Sequence, residues 1–111
     1  MPREETYDLI FKALGDSRRR EILDMLKARG RTTGELCEHF KQLDRCTVML
    51  HLDVLEKADL LIVKREGRLR WNYINALPIK ELHDRWIGVY ADAALDLLGR
   101  MKREIKGASL D

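Results

Sequence analysis

The hydrophobic period of this chain changes once and then changes back. Up to Leu60, apolar residues recur every three or four positions. From Leu61 to Ile74 they alternate, and from Ile79 the longer spacing returns. A period near 3.6 buries one face of a helix, and a period of 2 buries one face of a strand. The expected fold is therefore mainly α with one β-hairpin, about five helices and two strands. The strands are Leu61-Ile62-Val63-Lys64-Arg65 and Leu69-Arg70-Trp71-Asn72-Tyr73-Ile74, with Trp71 and Tyr73 on one face. Glu66-Gly67-Arg68 supplies the turn.

Charge concentrates on the same segment. Residues 61–77 hold four basic and one acidic side chain, net +3, whereas residues 31–60 hold four and six, net −2. The whole chain is only +2. A local basic patch on a hairpin points toward nucleic acid more strongly than the total does.

Helices fill the rest. Tyr7, Ile10, Phe11 and Leu14 fall at i, i+3, i+4 and i+7, and Gly15 is expected to end this helix in a left-handed conformation. Asp16 or Ser17 caps a second helix over about 18–27, with Ile22, Leu23, Met25 and Leu26 apolar. Arg18-Arg19-Arg20 opens it against the macrodipole, which requires phosphate, an acidic neighbour or solvent to compensate. Thr32-Thr33-Gly34-Glu35 matches a capping box and starts a short helix with Leu36, Cys37 and Phe40 inward. Asp44 caps the next helix, about 45–57. Its buried stripe is Val48, Leu52 and Leu55, leaving Cys46, Leu50 and Asp53 outward and Thr47 and Met49 on the flanks. Two short helices joined by a tight turn read as a helix-turn-helix over 33–57, with the hairpin at 61–74. The last helix, 78–103, begins at Pro78 and carries Ile79, Leu82, Trp86, Val89, Ala93, Leu97, Met101 and Ile105, widened by Tyr90, Ala94 and Leu98. At roughly 37 Å it outruns the domain it serves. Its surplus apolar face, with the first helix, predicts a homodimer through Tyr7, Phe11, Leu82, Trp86, Val89, Tyr90, Ala93 and Leu97. Residues 106–111 are expected to fray.

Composition sets the remaining bounds. A 45% hydrophobic fraction excludes disorder, and 111 residues make one domain, 1–111. No apolar run nears the ~20 residues of a membrane span. Met1-Pro2-Arg3-Glu4-Glu5 lacks the apolar core of a secretory signal. Two cysteines make no disulfide scaffold, so the expected home is the cytoplasm, with no membrane partner.

These residues, in this order, resemble the ArsR-type winged-helix repressors. The resemblance rests on Phe11-Lys12-Ala13-Leu14-Gly15-Asp16 and Arg19-Arg20-Glu21-Ile22-Leu23. It continues through Thr33-Gly34-Glu35-Leu36, Thr47-Val48, His51-Leu52 and Val54-Leu55-Glu56-Lys57-Ala58. The hairpin Lys64-Arg65-Glu66-Gly67-Arg68, followed by Trp71-Asn72-Tyr73, is similar to the family's wing. It covers about residues 7–75 closely. It implies a dimeric bacterial transcriptional repressor binding double-stranded DNA, with one helix of each protomer in a major groove. By the match, Arg45, Cys46, Thr47, Met49 and Leu50 face the groove. Lys64, Arg65, Arg68 and Arg70 form the wing set. His51 also matches a family position, but the helix wheel places it beside the core, so it is read as structural rather than base-reading. Two positions depart from the family: Met49 and Leu50 stand where polar or basic side chains are usual, and Asp59 where a helix-ending Gly is common.

Many relatives sense metals. In this chain His39 occupies the place of a second Cys after Cys37, and residues two apart on a helix point about 200° apart. Cys46, His51 and His83 are the other candidate ligands; Ala94 and Leu97 stand where the distal ligands of the other common site would be, and His83 and Asp84 have no matching partners. No metal and no cofactor are expected. Cys46 sits near a helix N-terminus beside Arg45, which leaves a thiol switch as an alternative to a plain groove-facing residue. With no Gly-rich phosphate loop, nucleophile elbow or paired-carboxylate cleft, no catalytic residue is assigned. The expected function is a DNA-binding repressor acting on an inverted-repeat operator. A protein-interaction module, suggested by Met49 and Leu50, is the alternative, and a metal- or thiol-responsive repressor the third.

Overall fold

The computed structural model describes residues 4–109. The chain divides into two compact units, one ending at Ile79 and one beginning at Lys80. The first contains α1 (Glu4–Leu14), α2 (Ser17–Ala28), β1 (Arg31–Thr32), α3 (Thr33–His39), α4 (Arg45–Lys57), β2 (Leu61–Glu66) and β3 (Leu69–Ile74). The strands form one antiparallel sheet in the order β1-β3-β2. The two-residue β1 is a third strand that the alternation does not announce. It pairs Arg31 with Asn72 and Thr32 with Trp71.

The core is aliphatic: Ile10, Ile22, Leu26, Leu36, Val48, Leu52, Leu55 and Leu60 are all buried. In α1 the buried face is Tyr7, Ile10 and Ala13, while Phe11 is 49% exposed. Phe11 follows Ile10 by 100° of helix rotation and falls off that face. The capping box forms as expected, with Glu35 N donating to Thr32 Oγ1 (3.2 Å) and Thr32 N to Glu35 Oε1 (3.4 Å). The hydrogen bond from Arg29, at 2.6 Å, is the main reason the Glu35 carboxyl lies below its ordinary pKa.

Gly15 does not adopt the left-handed conformation. Among the described residues only Asp59 (φ 60°) and Gly67 (φ 61°) have positive φ. The C-terminal carbonyls of α1 are taken instead by the arginines that open α2. Arg19 donates through Nε to Ala13 O and through Nη2 to Lys12 O, each 2.8 Å, and Arg20 Nη1 to Leu14 O at 2.7 Å. Those bonds compensate cations that would otherwise oppose the dipole of α2, whose N-cap is Asp16.

α4 ends in a Schellman motif: Leu60 N donates to Leu55 O (3.0 Å) and Asp59 N to Glu56 O (2.9 Å), with Asp59 as the left-handed residue. This aims the chain directly into β2. At the far end of the hairpin, Gly67 supplies the positive φ of a two-residue turn.

α5 (Leu77–Leu82) spans the boundary between the units and holds Pro78 in its first turn. The second unit continues as a π-helical turn, His83–Ile87, and α6 (Gly88–Ser109). The π turn has no signature in the apolar spacing. It inserts one residue into the helical repeat, so the stripe after it is rotated relative to the stripe before it. Lys106 to Ser109, where fraying was expected, are helical, whereas Leu110 and Asp111, like Met1 to Arg3, lie outside the described residues. Among the described residues no helix is long and apolar enough to cross a membrane.

Candidate nucleic-acid interface

α4 presents the face that its sequence predicts. Val48, Leu52 and Leu55 are buried, and Arg45, Cys46, Leu50 and Asp53 are exposed, Leu50 to 64%. Thr47 and Met49 are half-buried. The first turn is fixed by Asp44, whose Oδ1 accepts from Thr47 N at 2.7 Å. The amide and then the hydroxyl of Thr47 hold this carboxyl below its ordinary pKa.

A cleft runs between the first turn of α3, the start of α4 and the hairpin. Its walls are Thr32, Thr33, Gly34, Arg45, Met49, Arg65, Arg68, Leu69 and Arg70. Arg45, Arg65 and Arg68 are exposed, and no carboxylate lines the cleft. Three accessible guanidiniums around an open groove suit a polyanion with regularly spaced phosphates.

The four cations expected on the wing do not all lie on one face of the sheet. Strand register opposes Lys64 to Trp71 and Arg65 to Arg70, so Lys64 lies on the opposite face of the sheet from the two arginines. Trp71 and Tyr73 share the Lys64 face and stack at 6.4 Å. Arg70 is the larger correction to the expected wing set. Only 8% exposed, it donates through Nη1 to Asn72 Oδ1 (2.8 Å) and through Nη2 to Glu56 Oε1 (3.3 Å). Strand alternation turns it inward against α4, and Glu56 neutralises it.

Asn72, buried completely, was not singled out from the sequence. Its Nδ2 donates to Arg31 O (3.1 Å), Thr33 Oγ1 (3.2 Å) and Arg70 O (3.4 Å). One amide thus ties β3 to β1 and to the start of α3, while Arg70 ties it to α4. This network fixes the wing relative to the helix-turn-helix. The visible signal was the strand period, which places Arg70 and Asn72 together on the face opposite Trp71 and Tyr73.

His51 is half-buried, with Nδ1 3.2 Å from Arg19 Nη1. Cys37 is half-buried on α3 and Cys46 exposed on α4. His39 pairs with Glu21 (3.1 Å) and His83 with Asp84 (3.5 Å). The residues weighed for a dimer contact are scattered in exposure. Tyr7 is 3% exposed and Leu82 is buried, Trp86 is half-buried with Arg85 over its ring at 4.3 Å, and Val89, Tyr90, Ala93 and Leu97 are exposed.

This arrangement defines a winged helix-turn-helix regulator. The helix-turn-helix domain family matches residues 14–64. The chain is 41% identical over 86 residues to the uncharacterized HTH-type transcriptional regulator YuzN of Bacillus subtilis, covering 72% of this chain and 94% of that protein. It is 32% identical over 72 residues to the transcriptional repressor SdpR of the same organism, covering 65% and 79%. The crystal structure of an ArsR family transcriptional regulator superposes with a TM-score of 0.73 at 26% identity, covering 83% of this chain and 93% of that one. The chain belongs to the ArsR-type family of helix-turn-helix transcriptional repressors, a family of regulators rather than enzymes.

Proposed function

We propose that this protein is a cytoplasmic homodimer that represses transcription by binding an inverted-repeat operator. α4 enters the major groove, and Arg45, Arg65 and Arg68 contact the flanking phosphates. The carrying observation is the cleft in which those three arginines stand beside the open face of α4. A major groove admits an α-helix, and a basic hairpin beside it reaches the backbone or the adjacent minor groove. The apolar residues left exposed along α6 support 78–103 as the dimerisation segment.

Selection from a randomised duplex library tests the proposal. The expected product is an inverted repeat with half-site centres about one helical turn apart, because a two-fold dimer presents two equal recognition helices. Affinity for that site should fall with salt at a log–log slope of roughly −0.9 per phosphate neutralised. Equal, weak, salt-sensitive binding to every duplex would sink the repressor reading. The exposed Leu50 would then favour a surface for another protein.

A further inference from the structure

Resting on the DNA-binding reading above, we propose that Leu50, with Cys46 one turn before it, reads the C5 methyl of thymine. Each operator half-site then carries a thymine beneath this pair. Leu50 is the largest apolar side chain on the open face of α4 and is 64% exposed. Cys46 precedes it at i−4 and is also exposed, so the two share one line along the helix. Along the first two turns that line offers no strong hydrogen-bond donor or acceptor, since a thiol is weak as either. Thr47, the nearby hydroxyl, lies on the flank of this face and is half-buried.

Base edges in the major groove present acceptors, amino donors and one apolar group, the thymine methyl. Leu50 set against a purine N7 or O6, or against a cytosine amino group, would strip water from it and return no hydrogen bond. Set against a thymine methyl, it removes two apolar surfaces from water at once. The occupant of this face is duplex DNA because the neighbouring cleft is lined by Arg45, Arg65 and Arg68 with no carboxylate among its walls. Asp53, one turn beyond Leu50 and exposed, turns the line acidic. The methyl contact therefore belongs to the N-terminal half of α4.

The test uses the duplex selected from the randomised library. Each thymine is replaced in turn by deoxyuridine, which removes the methyl and leaves base pairing intact. Affinity is read by fluorescence anisotropy at fixed salt for the wild-type protein and for Leu50→Ala. Burying one methyl corresponds to about a fourfold change. The expected result is a loss of about that size at one or two positions per half-site, and none at those positions in Leu50→Ala. Leu50 is exposed, so the variant should keep the wild-type melting curve, which is recorded alongside. A specific site that tolerates deoxyuridine at every thymine, or loses the same affinity with Leu50→Ala, overturns this inference and leaves the repressor reading standing. Failure to select any sequence overturns both.

Discussion

One guanidinium joins three helices: Arg19 holds Ala13 O and Lys12 O of α1 from the first turn of α2, while its Nη1 stands 3.2 Å from His51 Nδ1 of α4. Since an arginine only donates, His51 accepts on Nδ1 and carries its proton on Nε2. Burial pushes the His51 pKa below 6.5, and Arg19 and Arg18 push it further, against the opposing pull of Asp16. In the window between the folded value and about 6.5, the unfolded chain binds the proton and the folded chain does not. Stability therefore rises with pH across that window and is lost as pH falls through the folded value. Asp16, which burial raises but the Arg18 and Arg19 amides lower by more, titrates below 3.8 and stays out of this range. Urea midpoints at pH 7.5 and 5.5 should differ in the wild type, and His51→Gln should narrow the gap. An unchanged gap would show that His51 is not the titrating group.

Asn72 and Arg70 make opposite predictions about stability and DNA. Asn72→Ala leaves Arg31 O, Thr33 Oγ1 and Arg70 without their partner in a buried setting, at a cost of about 1–3 kcal/mol. Denaturant titration measures it directly. Arg70, already neutralised by Glu56, should contribute little to phosphate binding. Arg68→Ala should reduce the salt slope by about one unit per protomer in contact, while Arg70→Gln leaves the slope where it was. A slope that falls equally in both variants would place Arg70 on the DNA.

Asp59 holds a left-handed conformation that a Cβ disfavours by about 1 kcal/mol. The chain pins it there, with Leu60 N bonded to Leu55 O and Asn75 Nδ2 donating to Asp59 O at 2.9 Å. Neither bond involves the Asp59 side chain. Asp59→Gly should therefore stabilise the protein by about 1 kcal/mol, less the greater freedom glycine gains in the unfolded chain. A thermal melt that shifts down would mean that the carboxylate has a role the backbone geometry does not reveal.

The parts of this fold that sequence makes legible are those governed by local period. Val48, Leu52 and Leu55 could bury only one face of α4, and Gly67 between two alternating runs could only be a turn. Local reading fails where a distant side chain decides. β1 is two residues long and exists because Asn72 and Trp71 pair with it. α1 does stop before Gly15, but Gly15 is not left-handed, and Arg19 and Arg20 take the free carbonyls from the next helix. The family resemblance groups Arg70 with the wing cations, although the alternation that sets Trp71 and Tyr73 on one face already places it on the other. The π turn at His83–Ile87 left no trace, because the apolar spacing on either side is helical.

The last prediction concerns α6. Tyr90, Leu97, Leu98, Met101 and Ile105 recur at helical spacing, and each is about half or more exposed. A row of this kind along a long helix is costly in water and is the part of the chain best suited to a second copy of itself. Sedimentation at micromolar concentration should therefore give about twice 13.0 kDa. Leu97→Glu separates the dimer contact from the fold. Within one chain Leu97 is exposed, so the substitution should change the folding free energy by no more than about 0.5 kcal/mol. Between two chains it buries a carboxylate against an apolar row, which costs far more unless a cation meets it. The expected variant is a folded species of 13.0 kDa that melts like the wild type. Its operator affinity should drop by about a hundredfold or more, because the second half-site is no longer bound at high effective concentration. Leu82 and Trp86 are poorer choices, since burial of the first and half-burial of the second would mix folding with assembly. A Leu97→Glu protein that still sediments as a dimer and binds its operator unchanged would move the interface off α6.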